Sequence, residues 1–204
     1  MDTPIHPDFT PLAYALVLFR KAGYPCVFYG DLYGISEPFL SPPSCSGRLA
    51  DLLLARKLYS HGEQVDYFSD ANCIGWVRKG LSRSEGLQFD GMAVMMAWAE
   101  DETKAQCPKQ VFVRRPGWLR RVSSMTGRLS KIQKNELPYR KRMNVGAQHG
   151  GEVWTDILEG SSQKAAITHS GWGTFSCQRN SVAIYVSETA EGRMQFPVNF
   201  EANL

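Results

Sequence analysis

The sequence has 204 residues, 43% of them hydrophobic, and a formal net charge of +3, a composition sufficient for a packed globular core. Its longest apolar runs, residues 11–19 and 91–99, are about half of the roughly 20 residues that a membrane-spanning helix needs, which argues against a membrane partner. Because 11 of the 23 Lys and Arg lie between Lys109 and Arg142, the rest of the chain carries 12 basic against 19 acidic residues and lacks the basic footprint of a nucleic-acid-binding protein.

The first elements along the chain alternate between helix and strand. Residues 12–21 are apolar almost throughout and end in two cations before Gly23, a pattern typical of a buried helix with a glycine C-cap. Residues 26–29 then predict a short buried strand, which Asp31 follows at its carboxyl end. After a proline-containing loop, leucines at helical spacing predict a second helix over residues 47–60. This order of elements predicts a piece of an α/β architecture.

From residue 67 onward the pattern changes to short strands separated by glycine-containing turns. The last segment alternates, with Val182, Ile184 and Val186 on one face. Short strands at such spacing favour an antiparallel sandwich or Greek key. Seven strands are predicted, over residues 72–79, 91–98, 143–145, 152–158, 165–168, 173–176 and 181–187.

A basic insert at about residues 105–140 interrupts the strands. Its apolar residues recur at spacings of 4, 3, 4 and 3 from Trp118 to Ile132, which is typical of a helix that binds a membrane surface or calmodulin. Gly127 in the middle weakens that helix. The alternative is an insertion at a loop tip, or translated sequence foreign to the fold. In that case the strands at 91–98 and 143–145 are expected to be hairpin neighbours.

The cysteines and the first residues predict a cytoplasmic location. The five cysteines contain no C-x-x-C pair and read as reduced thiols that pack in the fold. The first seven residues lack the basic and apolar regions of a signal peptide.

Several segments, in this order, resemble the C-terminal part of α-amylases of glycoside hydrolase family 13, of the bacterial liquefying and intracellular fungal type. The resemblance covers nearly the whole chain outside residues 105–140. The segments that carry it are "PLAYALVLFRKAGYPCVFYGDLYGI" (11–35), "LARKLYSHGEQVDYF" (54–68), "CIGWVR" (73–78), "KRMNVG" (141–146), "GEVWTDIL" (151–158), "GWGTF" (171–175) and "SVAIYVS" (181–187).

The resemblance implies an α/β part followed by an all-β part. Residues 1–66 correspond to the last helix, strand and helix of a TIM (β/α)8 barrel, residues 67–189 to an antiparallel Greek-key β-sandwich, and residues 190–204 to a tail. Barrel active sites lie at the carboxyl ends of the strands, so Asp31 is a candidate substrate-binding residue. The alternative is that Asp31 is an ordinary turn or cap residue.

The family's activity is hydrolysis of internal α-1,4-glucosidic bonds in starch or glycogen, and it needs two carboxyl groups about 5 Å apart. The family's catalytic residues precede the matched segments, and its "NHD"-type motif does not occur in this sequence. No catalytic residue is therefore predicted, and the chain is expected to be inactive alone.

No cofactor or metal is predicted in this chain, although calcium is expected for the full-length family. Calcium takes six to eight oxygen ligands. At the junction of the two parts the sequence offers Asp70 and Asn72, but Trp98 where an acid would be expected.

An alternative function is a non-enzymatic glucan-binding or regulatory module, with the basic helix recruiting a partner. Trp76, Trp154 and Trp172 are its candidate sugar-stacking residues, although packing is their more common role. The expected partners are an α-glucan and, through the exposed edges of an incomplete barrel, a second copy of the chain.

Overall fold

The computed structural model describes residues 5–36, 41–81, 89–98 and 138–198 of the chain. Most of the predicted basic insert, including its apolar stripe from Trp118 to Ile132, lies outside the described residues. Within these ranges, each helix is too short or too polar to cross a lipid bilayer.

Three α-helices form the N-terminal layer of the described chain: α1 (Thr10–Phe19), α2 (Tyr29–Tyr33) and α3 (Leu49–Tyr59). α1 starts with Pro11 in its first turn, where a missing N–H costs no helical hydrogen bond. α3 carries Asp51 in its first turn and two cations in its last, the charge order that the helix dipole favours. The helices predicted at 12–21 and 47–60 are confirmed within a few residues.

Eight strands follow in the described chain, and all pairings between these strands are antiparallel. Six of them form one sheet in the order β1-β2-β3-β8-β5-β6, and β4 pairs with β7 in a second sheet. The fold is thus β-sandwich-like, as predicted. The strands are β1 (Gln64–Asp70), β2 (Cys73–Arg78), β3 (Met92–Ala97), β4 (Tyr139–Asn144), β5 (Val153–Asp156), β6 (Ala165–Ala166), β7 (Trp172–Cys177) and β8 (Ser181–Ser187).

The six-stranded sheet is the central layer, with an apolar core on each face. The core on one side joins residues of α1 and α3 to Trp76, Val94 and Ile184 of the sheet. The core on the other side joins alternate residues of the same strands to β4 and β7, including Met143 and Phe175. β8 is therefore buried on both faces, although the sequence indicated a single apolar face.

The last described residues return to the helical layer. The backbone N–H of Val198 donates to Asp51 Oδ1 at 2.7 Å, and the Tyr59 hydroxyl donates to the carbonyl of Glu191 at 2.8 Å. Phe196 is buried in the core that α1 and α3 share with the sheet. Residues 190–198 thus contact α3 through two hydrogen bonds and through the shared apolar core.

The strand predicted at residues 26–29 is wrong. No described strand includes residues 24–28, and Tyr29 already begins α2. A strand exists only where a neighbour accepts and donates its ladder hydrogen bonds, and no described strand pairs with this segment. Cys26 is exposed and the side chain of Phe28 is 61% exposed, so the expected burial is absent as well.

The predicted hairpin between the strands that flank the insert is also wrong. β3 pairs with β2 on one side and β8 on the other, whereas β4 pairs with β7 in the second sheet. Both edges of β3 are occupied, so β4 has no place beside it. The window 105–140 also ends inside β4, because Tyr139 and Arg140 pair with Cys177 and Ser176. β1, which was not predicted, crosses residue 66, where the barrel part was expected to end.

Candidate functional site

Asp31, the one site residue that the sequence predicted, lies in the first turn of α2. Gly30 before it is buried, and a Cβ there would lie 2.6 Å from a ring carbon of Phe28 and 2.7 Å from Ile35. A larger residue at this position would therefore require the Phe28 ring, which is 61% exposed, and the Ile35 side chain to move.

Two hydroxyl groups hold the Asp31 carboxylate. The Tyr14 hydroxyl of α1 donates to Oδ2, and the Ser44 hydroxyl donates to Oδ1 at 2.5 Å. Because the three residues come from α1, α2 and the 3-10 turn Ser44–Gly47, the carboxylate connects three elements. The partners are 17 and 13 residues away along the chain, and no sequence spacing indicated them.

The neighbours of Asp31 keep their protons at neutral pH. Burial, and then the hydrogen bond to Asp31, raises the pKa of Tyr14 to about 12. Burial, and then the charge of Asp31, raises the pKa of the Cys45 thiol to about 11. Tyr14 is thus a permanent donor to Asp31, and Cys45 is neither a base nor an activated nucleophile.

Asp31 lines an open groove of about 1240 Å³ between α1, the start of α2 and the turn at Ser44–Gly47. Hydroxyl groups from Thr10, Tyr14 and several serines line it together with prolines. Among the described residues that line it, the carboxylates are Asp8 and Asp31 and the cation is Arg48, which donates to the carbonyl of Leu158. The lining thus combines hydroxyl and carboxylate groups with apolar side chains such as Ile5 and Val17.

Two of the three candidate sugar-stacking tryptophans are buried in the cores. Trp76 and Trp154 are 0% exposed, and the indole N–H of Trp154 donates to Glu152 at 2.8 Å. Trp172 is half-buried, and the guanidinium carbon of Arg142 lies 5.0 Å from the centre of its ring. A sugar cannot stack on the first two, and Arg142 covers one face of the third.

At the junction of the two parts, Asp70, Asn72 and Trp98 do not fit a calcium site. Asp70 Oδ1 accepts the backbone N–H of Asn72 at 2.9 Å, and the carbonyl of Asn72 accepts the N–H of Trp98 at 3.0 Å. Trp98 packs edge-on against Phe9 with ring centres 5.1 Å apart. Among the described residues, no group of three or more His, Cys, Asp or Glu could hold a metal ion, and too few oxygens converge here.

Comparison with known proteins gives several relatives over most of the chain. It is 33% identical over 182 residues to an α-amylase of Geobacillus stearothermophilus, covering 89% of this chain and 26% of the relative. It is 32% identical over 187 residues to an α-amylase of Bacillus licheniformis, covering 91% of this chain and 29% of the relative. A cytoplasmic α-amylase of Escherichia coli strain K12 is 27% identical over 196 residues, covering 92% of this chain and 31% of the relative. No protein-family model matches the chain. The chain spans less than a third of the length of these relatives.

Proposed function

We propose that this chain is the C-terminal portion of an α-amylase-like glycoside hydrolase, because it matches the C-terminal part of α-amylases. Such an enzyme would hydrolyse internal α-1,4-glucosidic bonds of starch or glycogen with retention of configuration. The observation that carries the proposal is the match over about nine-tenths of this chain to less than a third of each relative.

In this proposal α1, residues 24–28 and α3 correspond to the last helix, strand and helix of a (β/α)8 barrel, although residues 24–28 have no strand partner among the described residues. The β-sheets would form the Greek-key domain that follows. Asp31, in the first turn of α2, would then lie on the side of the barrel where substrates bind. The carboxylate keeps lone pairs beyond those used by Tyr14 and Ser44, and these would accept hydrogen bonds from sugar hydroxyls at the rim of the site.

The chain alone would not hydrolyse glucan. A retaining glycosidase needs a nucleophilic carboxylate and a protonated acid about 5 Å apart. Among the described residues of the groove, Asp31 is held by two hydroxyl groups, and the other carboxylate, Asp8, lies on a different element beside His6. The reacting carboxyl groups would come from the polypeptide that corresponds to the rest of the relatives. The proposed location is the cytoplasm, as the name of the E. coli relative states for that protein.

A chimera tests the proposal. The full chain would replace the matched region of the Geobacillus stearothermophilus relative, and release of reducing ends from soluble starch would be measured for the chimera and for the chain alone. We expect hydrolysis by the chimera and none above background by the chain, because losing the reacting groups removes many orders of magnitude of rate. A folded but inactive chimera, or an active isolated chain, would contradict the proposal.

A further inference from the structure

β4 has an open edge on the side away from β7. In an antiparallel ladder, residues whose main-chain groups bond to the partner strand alternate with residues whose groups point away from it. The N–H of Ser176 donates to the Tyr185 hydroxyl, which in turn donates to the Ser176 carbonyl. Because Arg140 lies opposite Ser176, its own N–H and C=O point away from β7, as do those of Arg142 two residues on. In the part of the chain that the structure describes, no backbone group pairs with them.

The other end of β4 shows the same alternation. Asn144 lies opposite Trp172, whose N–H and C=O both bond to Thr168. The N–H of Asn144 therefore also points away from β7, and it donates to the Tyr67 hydroxyl at 2.9 Å. The open edge thus ends at Asn144, where Tyr67 of β1 covers it.

The side chains beside this edge form a basic face. Arg140, Arg142 and Thr174 are exposed, and the pairing of β4 with β7 puts them on one face of the second sheet. The Arg142 guanidinium also lies over the ring of Trp172. The ion pairs among the described residues include neither arginine. Because the chain outside residues 109–142 has 12 basic against 19 acidic residues, these two cations stand out from an acidic surrounding.

We propose that β4 binds an acidic, extended peptide segment of another protein by antiparallel β-strand addition. Main-chain hydrogen bonds to Arg140 and Arg142 supply affinity, and their side chains supply specificity. Directly opposite residues of antiparallel strands share a face, with Cβ atoms about 4.5–5.5 Å apart. Carboxylates two residues apart on the added strand therefore meet both guanidinium groups. No residue of β4 lines the groove at Asp31, so this inference is independent of the proposed function.

A second copy of this chain does not fit the open edge. Antiparallel self-pairing of β4 centred on Lys141 would place Arg140 of each copy opposite Arg142 of the other. Like charges directly opposite each other destabilise a strand pair, and charged side chains commonly protect edge strands against self-association. The same charges favour a strand that carries carboxylates.

The first test measures whether the spacing of the carboxylates matters. The full chain is titrated into a fluorescent peptide in which glutamate alternates with valine, and anisotropy gives the dissociation constant. A second peptide has the same composition, but its glutamates and valines occur in pairs, so that neighbouring glutamates point to opposite faces. The basic insert attracts both peptides alike by charge, whereas strand addition distinguishes them. We expect the alternating peptide to bind about tenfold more tightly.

A pair of N-methylated peptides tests the main-chain hydrogen bonds. When glutamates lie opposite Arg140 and Arg142, the glutamate N–H groups point toward β4 and the valine N–H groups point away. We expect N-methylation of the glutamates to weaken binding about tenfold and N-methylation of the valines, the matched control, to leave it unchanged. Hydrogen exchange at the amides of Arg140 and Arg142 should slow in the complex. The amide of Lys141, which faces β7, should exchange as in the free chain.

The double variant Arg140→Glu/Arg142→Glu tests the side chains. It should bind the alternating peptide at least about tenfold more weakly, because two attractive pairs become repulsive. Lys57→Glu, at an exposed position on α3, is the matched control and should bind like the wild-type chain. The peptide comparisons use the wild-type chain, so they decide the question even if the double variant is unstable.

Four outcomes would overturn the inference. Absence of binding would exclude an acidic partner strand, and equal binding of the alternating and paired peptides would show a general anion-binding surface instead. Equal binding of the two N-methylated peptides would exclude main-chain pairing. Slow exchange of the Arg140 amide in the free chain that increases with protein concentration would show that a second copy occupies the edge.

Discussion

At the scale of single residues, the buried carboxylate of Asp156 organises the end of β5. It is 3% exposed and accepts three backbone N–H groups: those of Leu158 and Ile184 on Oδ1, at 3.0 and 2.9 Å, and that of Ser161 on Oδ2, at 3.0 Å. Burial raises the pKa of Asp156, and these hydrogen bonds oppose that shift. The carboxylate thereby satisfies two N–H groups of the turn after β5 and one of β8.

Two substitutions of Asp156 should separate its hydrogen bonds from its volume. Asp156→Ala leaves three buried N–H groups without an acceptor and should lower the free energy of unfolding by about 3–4 kcal/mol. Asp156→Asn keeps one oxygen for Leu158 and Ile184 and should cost about 1–2 kcal/mol. Urea denaturation of both variants measures the difference. A loss in Asp156→Ala with an unchanged free energy of unfolding in Asp156→Asn would show that the side chain acts by filling space.

The sequence predicted neither where Asp31 lies nor what holds it. The local pattern placed Asp31 at the carboxyl end of a strand, whereas it lies in the first turn of α2. Its partners Tyr14 and Ser44 depend on how α1 and the turn at Ser44–Gly47 pack, and packing of distant segments leaves no local spacing. The burial of Trp76 and Trp154 was the expected role, because both lie among apolar strand residues.

At the scale of elements, two arginines satisfy the carbonyl groups at the end of α1. Arg56 of α3 donates to the carbonyl of Leu18. Arg78 of β2 donates to the carbonyl of Phe19 at 3.2 Å, to the Ser60 hydroxyl at 3.0 Å and to the carbonyl of Gly62 at 3.2 Å. Burial lowers the pKa of Arg78. Cations are favourable at a helix C-terminus, so these contacts connect the helical layer to the central sheet.

Replacing Arg78 should weaken the contact between the helical layer and the central sheet. Arg78→Ala should lower the free energy of unfolding by about 2–4 kcal/mol, because two buried acceptors and one part-buried acceptor lose a charged donor. The matched control is Arg20→Ala, which removes a part-exposed ion pair with Asp66 and should cost about 1 kcal/mol or less. Chemical denaturation compares the two, and hydrogen exchange should show faster opening of the last turn of α1 in Arg78→Ala alone. Similar losses in both variants would contradict this role.

Elements with strong local patterns were predictable, and those set by their neighbours were not. The continuous apolar residues of β2, β3 and β8 gave their bounds to within about two residues of the observed strands. β1 was missed because it is an edge strand without a fully buried residue, and such strands lack an apolar run. The strand at 26–29 was predicted from composition, but pairing requires a neighbour that the described residues do not supply.

At the scale of the whole molecule, the connection between β3 and β4 crosses from the central sheet to the second sheet. A deletion that joins Lys104 to Lys141 would remove Tyr139 and Arg140, which pair with Cys177 and Ser176. A deletion that keeps the fold must therefore end before Pro138. The sequence could not reveal this limit, because the residues at the start of β4 are basic and read as part of the insert.

Deletion of residues 109–134 should leave the fold intact. It removes eight Lys and Arg and no acid, leaving 15 basic against 20 acidic residues, so the isoelectric point should become acidic. Shortening a surface connection changes the closure free energy by only about 0.6 kcal/mol per halving of its length. The melting temperature should stay within a few degrees of that of the full chain. A large decrease would show that the insert packs on the fold and would favour its role as a partner-recruiting element.

The return of residues 190–198 to α3 sets how the molecule would bear a mechanical load. A pull on the C-terminal end would reach the hydrogen bond from Val198 to Asp51 first, then Phe196 in the core and the contact between Glu191 and Tyr59. The tension would thus be carried into α3 before it reached β8. The C-terminal end would peel from the helical layer while the antiparallel ladders of the central sheet stayed unloaded.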